Sequence, residues 1–463
     1  MRTIRVQILL LFIGLIAPLK SQIRSIVLEG NHRTKSGIIY KELGFEPGEI
    51  LVSSDSLMLV WQLRLESTKL FNGVHLGLSE GGDTLTLRLI ERWYYWVQPE
   101  GGFADRNFNS WWKNRELNRV FGGGTVYANN VLGEQKGLFV HALAGYNQGL
   151  GIGLNMPFQK FKECNAWKFL IDRFSNHEIW TNSIDNKVVF FQTSDRFVQQ
   201  QTIAMAEYRR RFTYRWQGIV RLKYSSMNVS GALAKINPAF LIGGFDGSTG
   251  GEGLTWKQTT NTLQLGWSRD TRNQLNYPTK GSEWKGVIAG GLQKSGNTSA
   301  PMGEFESKYR GFKPLTERIS LAVMGLVRLR LGNISYAQQR QMGYGMEYVR
   351  GYESFVFDGA GLALGKVAWR YSLLGDGRSF FLRLLPKAYE KVPIRSWLNI
   401  FADVGRTLSP YHIEQNPLSK QTLMSVGLGL DVLCYYDALA RLDMSYNPSL
   451  HRWVMNITFF HAI

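Results

Sequence analysis

The feature that most restricts the fold is a two-residue alternation of apolar and polar side chains, which recurs from Val97 to Ile463. In one stretch the alternate positions carry Ile319, Leu321, Val323, Val327, Leu329 and Leu331, and the residues between them include Ser320, Ala322, Arg328 and Arg330. An arginine on a membrane strand is tolerated only where it faces water, so the apolar set must face lipid. We therefore predict an all-β transmembrane barrel of about 16 antiparallel strands over residues 97–463.

The first 21 residues are typical of a secretory signal peptide. Arg2 and Arg5 precede an apolar run from Ile8 to Ala17, which is too short to span a bilayer. The chain has 54 Lys+Arg against 36 Asp+Glu, a net charge of +18. In a soluble protein this balance would indicate a nucleic-acid partner, but export argues against one. We expect the basic groups to line a lumen or to meet the head groups of outer-membrane lipids.

Residues 22–96 change period three times and predict a separate α+β domain. The predicted order is β-α-α-β-β, with a strand at 23–30, helices over 35–45 and 53–71, and strands at 73–80 and 83–93. The second helix has a broad apolar face, which we assign to Leu57, Val60, Trp61, Leu63, Leu65 and Leu70. A small sheet covered on one face by two helices is a stable two-layer unit.

This ordered set of elements resembles the POTRA domain. The likeness lies in IRSIVLEGNHRTKSGIIYKELGFEPGEI, where Gly30 and Asn31 close the first strand, and then in LESTKLFNGVHLGL and LTLRLIER. The chain has room for one such domain. We therefore divide it into a signal peptide at 1–21, a POTRA-like periplasmic domain at 22–96 and an outer-membrane barrel at 97–463.

Three segments of the barrel region resemble the BamA-like superfamily, which includes barrel-assembly proteins and two-partner secretion translocators. The strongest is the run Val349, Arg350, Gly351 and Tyr352, which is similar to the VRGF/Y motif of a long extracellular loop that folds back into the barrel. Five strand-like segments follow it, as the family's placement of the motif requires, at 363–373, 396–405, 422–433, 438–447 and 452–460.

The second segment is FADVG, in which Asp403 corresponds to an inward carboxylate that pairs with the arginine of the motif. The local alternation independently places Asp403 on the lumen side, opposite Leu398, Ile400, Ala402 and Val404. In the strand after the loop, Ala368 stands where family members usually carry a glutamate that is a second partner for the arginine. We therefore expect Arg350 to rely on Asp403 alone.

The third segment, SRDTRNQLNYPTKG at 268–281, is similar to a strand-and-turn motif of the same superfamily. The positions that match the motif are Asp270, Arg272, Pro278 and Gly281.

Nothing in the sequence indicates catalytic chemistry. The seven His show no metal-ligand spacing, there is no G-x-S-x-G, and the Gly-rich run at 242–253 lacks the Lys-Ser/Thr of a phosphate loop. Cys164 and Cys434 form no disulfide framework, and Cys434 continues an apolar alternation that favours a lipid-facing side chain. We expect no enzyme activity, no cofactor and no metal, and we expect the Gly-rich run to be an extracellular loop.

The resemblance implies an outer-membrane insertase or translocator for polypeptides. In this superfamily the seam between the first and last strands loosens and exposes unpaired backbone groups to an incoming strand. Here the seam would join a strand near 97–107 to one at 453–460, through Val97, Gly101, Trp453, Ile457, Phe459 and Phe460. The implied partners are outer-membrane lipids, unfolded or exported polypeptides, and accessory periplasmic or lipoprotein subunits. A passive or structural barrel subunit of a larger complex, and a secretion channel for one partner, stay open as alternatives.

Overall fold

The computed structural model describes residues 22–44, 51–52, 55–103, 120–158, 165–193, 196–213, 215–244, 256–274, 277–375, 379–381, 391–410, 414–434 and 438–461. The predicted signal peptide, Cys164 and most of the Gly-rich run lie outside these ranges. Within them, no helix combines the length and apolar character needed to cross a membrane. The described residues form two compact units: those from 22 to 94 with 129–136 and 158 belong to the first, and the remainder belong to the second.

The N-terminal part of the first unit has the predicted β-α-α-β-β order, with two further short strands. Its elements are β1 (Gln22–Ile23), β2 (Ser25–Glu29), α1 (Ser36–Leu43), β3 (Leu51–Val52), α2 (Asp55–Ser67), β4 (Phe71–Leu78) and β5 (Thr84–Glu91). The further strands, β1 and β3, have two residues each, pair with each other and were not predicted. Strand β5 lies in the middle of a three-stranded sheet, parallel to β2 and antiparallel to β4. The predicted two-layer POTRA-like domain is confirmed, while its boundary at residue 96 stays a prediction.

The core of this domain forms where the helices cover the sheet. Trp61 and Leu65 of α2 are 2% and 0% exposed and lie one helical turn apart, so both face Leu85 and Leu87 of the central strand. Full burial of each such side chain contributes about 1.5–3 kcal/mol. The predicted apolar face was wrong at Val60, which is 39% exposed. Val60 precedes Trp61 by 100° of helix rotation and falls outside the buried stripe.

The second unit is a closed antiparallel barrel, which the described residues build from sixteen long strands and one short strand, β19 (Arg340–Met342). The long strands are β6 (Tyr95–Phe103), β7 (Val120–Val131), β8 (Lys136–Gly145), β9 (Gln148–Met156), β10 (Asn165–Asn176), β13 (Gln199–Thr213), β14 (Trp216–Val229), β15 (Trp256–Asp270), β16 (Gly281–Ser295), β17 (Thr298–Pro314), β18 (Ile319–Gly332), β20 (Phe357–Leu374), β23 (Arg395–Pro410), β24 (Leu423–Leu433), β25 (Ala438–Asn447) and β26 (Arg452–His461). The predicted fold class and strand number are confirmed. The five strands predicted after the VRGY motif correspond to β20 and β23–β26.

The alternation of side chains separates the outer surface of the barrel from its lumen, as predicted. On β18, Val323, Val327 and Leu331 are exposed on the outer surface. The arginines between them point inward, where Arg328 pairs with Glu306 at 2.6 Å across the β17–β18 ladder. An inward charge paired across the ladder avoids the cost of an isolated charge in lipid.

Successive connections alternate between the two ends of the barrel. One end, the long-loop mouth, receives loop 333–356 between β18 and β20, and also segment 177–198 with the hairpin β11 (Glu178–Ile184) and β12 (Lys187–Gln192). The opposite end, the turn mouth, receives turn 271–280 between β15 and β16, and also the short hairpin β21 (Ser379–Phe381) and β22 (Lys391–Pro393). The sequence analysis did not predict either hairpin. The remaining helices are short: α3 (Leu233–Ile236) and two 3-10 turns at Tyr336–Gln338 and Pro417–Lys420.

Candidate functional site

Loop 333–356 folds back into the barrel, as the VRGY resemblance implies. Val349 and Tyr352 are 0% and 1% exposed and pack in one apolar cluster with Leu364 of β20. The wall opposite is shaped to receive them, because a Cβ added to Gly405 of β23 would lie 2.6 Å from Val349 Cγ2. The glycine of FADVG therefore leaves room for the Val349 side chain against the strand.

Arg350 binds Asp403 through both ends of its guanidinium group. Its Nε donates to Oδ2 at 2.9 Å and its Nη2 donates to Oδ1 at 2.6 Å, while its backbone N–H donates to Oδ2 at 3.2 Å. The two side chains are 9% and 0% exposed. The guanidinium Cζ lies 3.5 Å from the ring centroid of Phe401. This bidentate, stacked geometry matches the planar fork of arginine and would not be reproduced by lysine.

The expectation that Arg350 relies on Asp403 alone was wrong. Asp443 of β25 places Oδ1 3.9 Å from Arg350 Nη1, and Lys366 of β20 places Nζ 3.5 Å from Asp403 Oδ2. The second carboxylate therefore comes from a strand two places further round the wall, rather than from position 368. The spacing of residues along one strand cannot show a partner supplied by the curvature of the barrel.

The rest of the motif reaches the last hairpin of the barrel. Gly351 has φ +85°, which favours glycine, and its carbonyl accepts from Asn447 Nδ2 at 3.1 Å. The hydroxyl groups of Tyr352 and Ser449 hydrogen bond at 2.9 Å, and Ser449 lies in the turn between β25 and β26. The motif thus joins the loop to β23 and β25 at once.

The residues of the third motif occupy the turn mouth. Arg272 donates to both carboxylate oxygens of Asp270, at 2.9 and 2.6 Å, and also to Glu283 of β16 at 2.9 Å. The carbonyl of Pro278 accepts from Arg370 Nη1 at 3.2 Å, and Gly281 begins β16. The Asp270–Arg272 pair therefore holds the base of the turn, while Pro278 contacts β20.

Tyr277, beside Pro278, was missed by the sequence analysis. It is 2% exposed, and its ring stacks on Trp397 of β23 with centroids 3.9 Å apart. Its hydroxyl donates to Asp431 Oδ2 of β24 at 2.9 Å, and Asp431 in turn accepts from Arg441 Nε of β25 at 2.8 Å. The available signal was the inward position of Trp397 and Asp431 in their alternating strands.

The hairpin β11–β12, which we name the cap, is fixed at the long-loop mouth by Asn186. The buried Asn186 amide nitrogen donates to Val356 O at 3.2 Å and to Ser419 Oγ at 2.7 Å, and its amide oxygen accepts from Leu418 N at 3.0 Å. The cap is therefore tied to two separate loops, and the sequence analysis assigned none of these residues.

Asp358, at the start of β20, gathers three hydroxyl donors beneath the cap. They are Ser183 Oγ at 2.5 Å, Tyr336 OH at 3.0 Å and Tyr344 OH at 2.6 Å. Burial raises the pKa of the Tyr344 phenol, and the Asp358 carboxylate raises this pKa further. Tyr344 therefore remains a neutral hydrogen-bond donor at physiological pH.

The predicted seam residues lie on adjacent strands, because β26 and β6 are neighbours where the barrel closes. Most of them face outward, with 68% exposure for Val97, 58% for Trp453 and Ile457, and 78% for Phe459. Gly101 is also exposed, whereas the side chain of Phe460 lies outside the described residues. β6 begins at Tyr95 and is described to Phe103, so the predicted end of this strand, at 104–107, also lies outside the described residues.

A lumen with an inserted, arginine-anchored loop and a closing pair of first and last strands defines a barrel of one particular superfamily. The Omp85 superfamily domain matches residues 130–446. The chain belongs to the Omp85 superfamily, and this family places it in the bacterial outer membrane.

Solved structures share the fold at low sequence identity. BamA from Haemophilus ducreyi lacking POTRA domains 1-3 is similar with a TM-score of 0.51 and 13% identity, covering 95% of this chain and 84% of that chain. CdiB from Escherichia coli has a TM-score of 0.51 and 12% identity, covering 95% and 76%. CdiB from Acinetobacter baumannii has a TM-score of 0.50 and 13% identity, covering 95% and 73%. No curated protein sequence matches the chain significantly.

Proposed function

We propose that this protein inserts or translocates polypeptides at the outer membrane by opening the barrel between β6 and β26. On this proposal residues 1–21 are a signal peptide, residues 22–96 lie in the periplasm, and residues 97–463 form the barrel. Extended clients would bind first at the edge of the three-stranded sheet of the POTRA-like domain, since an open sheet edge offers unpaired backbone groups. Accessory periplasmic or lipoprotein subunits would bind this domain as well.

The observation that carries the proposal is the composition of β6, one of the two seam strands. β6 contains Pro99, which has no N–H to donate, and its Gly101 lies opposite Gly122 of β7. A strand with a proline and few cross-strand side-chain contacts is weakly held in a sheet. A weakly held first strand supports opening of the barrel at the join between β26 and β6.

The proposal is tested by locking the seam with a disulfide. In a chain with Cys164→Ser and Cys434→Ser, a series of cysteine pairs would join Val97 or Gly101 to Ile457 or Phe459. We expect the locked form to lose at least tenfold of client insertion or export, with recovery on reduction, because opening must break this ladder.

A matched control locks the barrel elsewhere. Ile288 of β16 lies directly opposite Phe305 of β17, and cysteines at these two positions would cross-link a long internal ladder. This lock should leave activity unchanged. Full activity in the seam-locked form would exclude lateral opening and favour a passive channel or a structural subunit.

Co-purification from intact membranes separates the remaining alternatives. Many unfolded barrel proteins bound to the chain would indicate an insertase, and one exported partner would indicate a dedicated secretion channel. Stable neighbours alone would indicate a structural subunit of a larger complex.

A further inference from the structure

Two inserted segments enter the barrel from opposite mouths and meet on the same part of the inner wall. On β23 the inward positions are Trp397, Asn399, Phe401 and Asp403 in order. The first two contact Tyr277 from the turn mouth, through the ring stack on Trp397 and a 3.4 Å hydrogen bond to Asn399 Oδ1. The last two contact Arg350 from the long-loop mouth. The two anchors thus occupy consecutive inward positions of one strand.

The neighbouring strands β20 and β25 also carry one residue beside Tyr277 or its partner and another beside Arg350 or its partner. On β25, Arg441 binds Asp431, the partner of Tyr277, while Asp443 lies 3.9 Å from Arg350. On β20, the guanidinium Cζ of Arg370 lies 4.4 Å from the ring centroid of Tyr277.

Lys366, also on β20, lies beside the partner of Arg350, with its Nζ 3.5 Å from Asp403 Oδ2. Four cations and three anions therefore lie in two adjoining clusters on this part of the inner wall. Arg350, Lys366, Asp403 and Asp443 form the cluster nearer the long-loop mouth. Arg370, Arg441 and Asp431 surround Tyr277 nearer the turn mouth.

We propose that Tyr277 is a positioning residue that braces β23–β25 from the turn mouth, as Arg350 braces them from the long-loop mouth. Held at both ends, these strands move as one block with β20. The hydrogen bonds and ion pairs of both anchors, as far as the described residues extend, end at β25. The proposed opening between β26 and β6 therefore lies outside this block. This last step rests on the proposed function, whereas the rigid block does not.

Hydrogen exchange of the full chain in lipid nanodiscs tests the block directly. Tyr277→Ala removes the stack and the hydrogen bond, and we expect it to raise amide exchange at least tenfold in peptides from 423–433 of β24. Peptides from 298–314 of β17, which neither anchor contacts through a described hydrogen bond, should exchange as before. Tyr277→Phe keeps the stack and should give a smaller rise in the same peptides. Tyr224→Ala, at a tyrosine 39% exposed on the outer surface of β14, is the matched control and should leave 423–433 unchanged.

A second measurement tests whether the two anchors hold one block. Combining Tyr277→Ala with Arg350→Met should raise exchange in β23 by more than the product of the two single effects, because each anchor supports the strand when the other is lost. Three results would contradict the proposed role of Tyr277: multiplicative effects of the two substitutions on exchange in β23, unchanged exchange at 423–433, or an equal rise of exchange in all strands of the barrel. If Tyr277→Ala does not fold, Tyr277→Phe decides the question alone, with no rise at 423–433 counting against the proposal.

These outcomes are separable from the seam test because hydrogen exchange needs no client. A selective rise at 423–433 together with full activity of the seam-locked form would keep the brace and refute the proposed function. Unchanged exchange at 423–433 together with inactivation by the seam lock would refute the rigid block and keep the proposed function.

Discussion

Breaking the pair between Arg350 and Asp403 is the perturbation whose size the structure defines best. Removing one member of a buried, hydrogen-bonded ion pair costs about 3–5 kcal/mol, mostly because the other charge stays buried and unpaired. Here Asp443 lies 3.9 Å from Arg350 and Lys366 lies 3.5 Å from Asp403, so the survivor keeps a partner in either case. We therefore expect Arg350→Met and Asp403→Asn each to cost about 3 kcal/mol, at the lower end of that range.

The double variant should cost about 4 kcal/mol, less than the sum of the singles, because residues in direct contact couple by about 0.5–3 kcal/mol. Urea unfolding of the folded barrel in detergent micelles, followed by heat-modifiable migration, measures the free energy of unfolding of the wild type, the two single variants and the double variant. The matched control is the lumen pair of Arg328 and Glu306, whose side chains are 15% and 30% exposed. Its substitution should cost no more than about 1 kcal/mol, as for other hydrated pairs. Additive effects of Arg350→Met and Asp403→Asn would refute a docked ion pair.

Three further predictions follow from the loop, the cap and the orientation. Gly405→Ala places a Cβ 2.6 Å from Val349 Cγ2, so we expect the free energy of unfolding, measured in urea, to fall by about 1–3 kcal/mol. Adding Val349→Ala should restore part of this stability. No recovery would show that the two residues are not in contact. Asn186→Ala removes three side-chain hydrogen bonds that hold the cap at the long-loop mouth. We therefore expect the ion conductance of the protein in planar bilayers to rise. An unchanged conductance would show that the cap does not restrict the lumen. Protease added to intact cells should spare residues 22–93, and cleavage there with an undamaged outer membrane would contradict a periplasmic POTRA-like domain.

Much of the architecture was predictable because it depends on periodicity along the chain. The alternation on β18 predicted which side of the strand faces lipid, and the β-α-α-β-β order followed from changes of period between residues 22 and 93. The hairpin β11–β12 was not predicted, because it is a loop insertion without a period distinct from that of the wall. Val60 was misplaced, because helical periodicity does not fix the width of the buried stripe until the sheet beneath it is known.

The sequence by itself determined the partnership of Arg350 with Asp403, since the motif resemblance named the arginine and the alternation turned the carboxylate inward. Only the tertiary structure showed that Asp443 and Lys366 surround this pair, and that Tyr277 reaches the same wall from the other mouth. The physical reason is the closure of the barrel. Alternation fixes whether a side chain faces the lumen, but residues far apart in sequence become neighbours only when sixteen strands curve round to face one another.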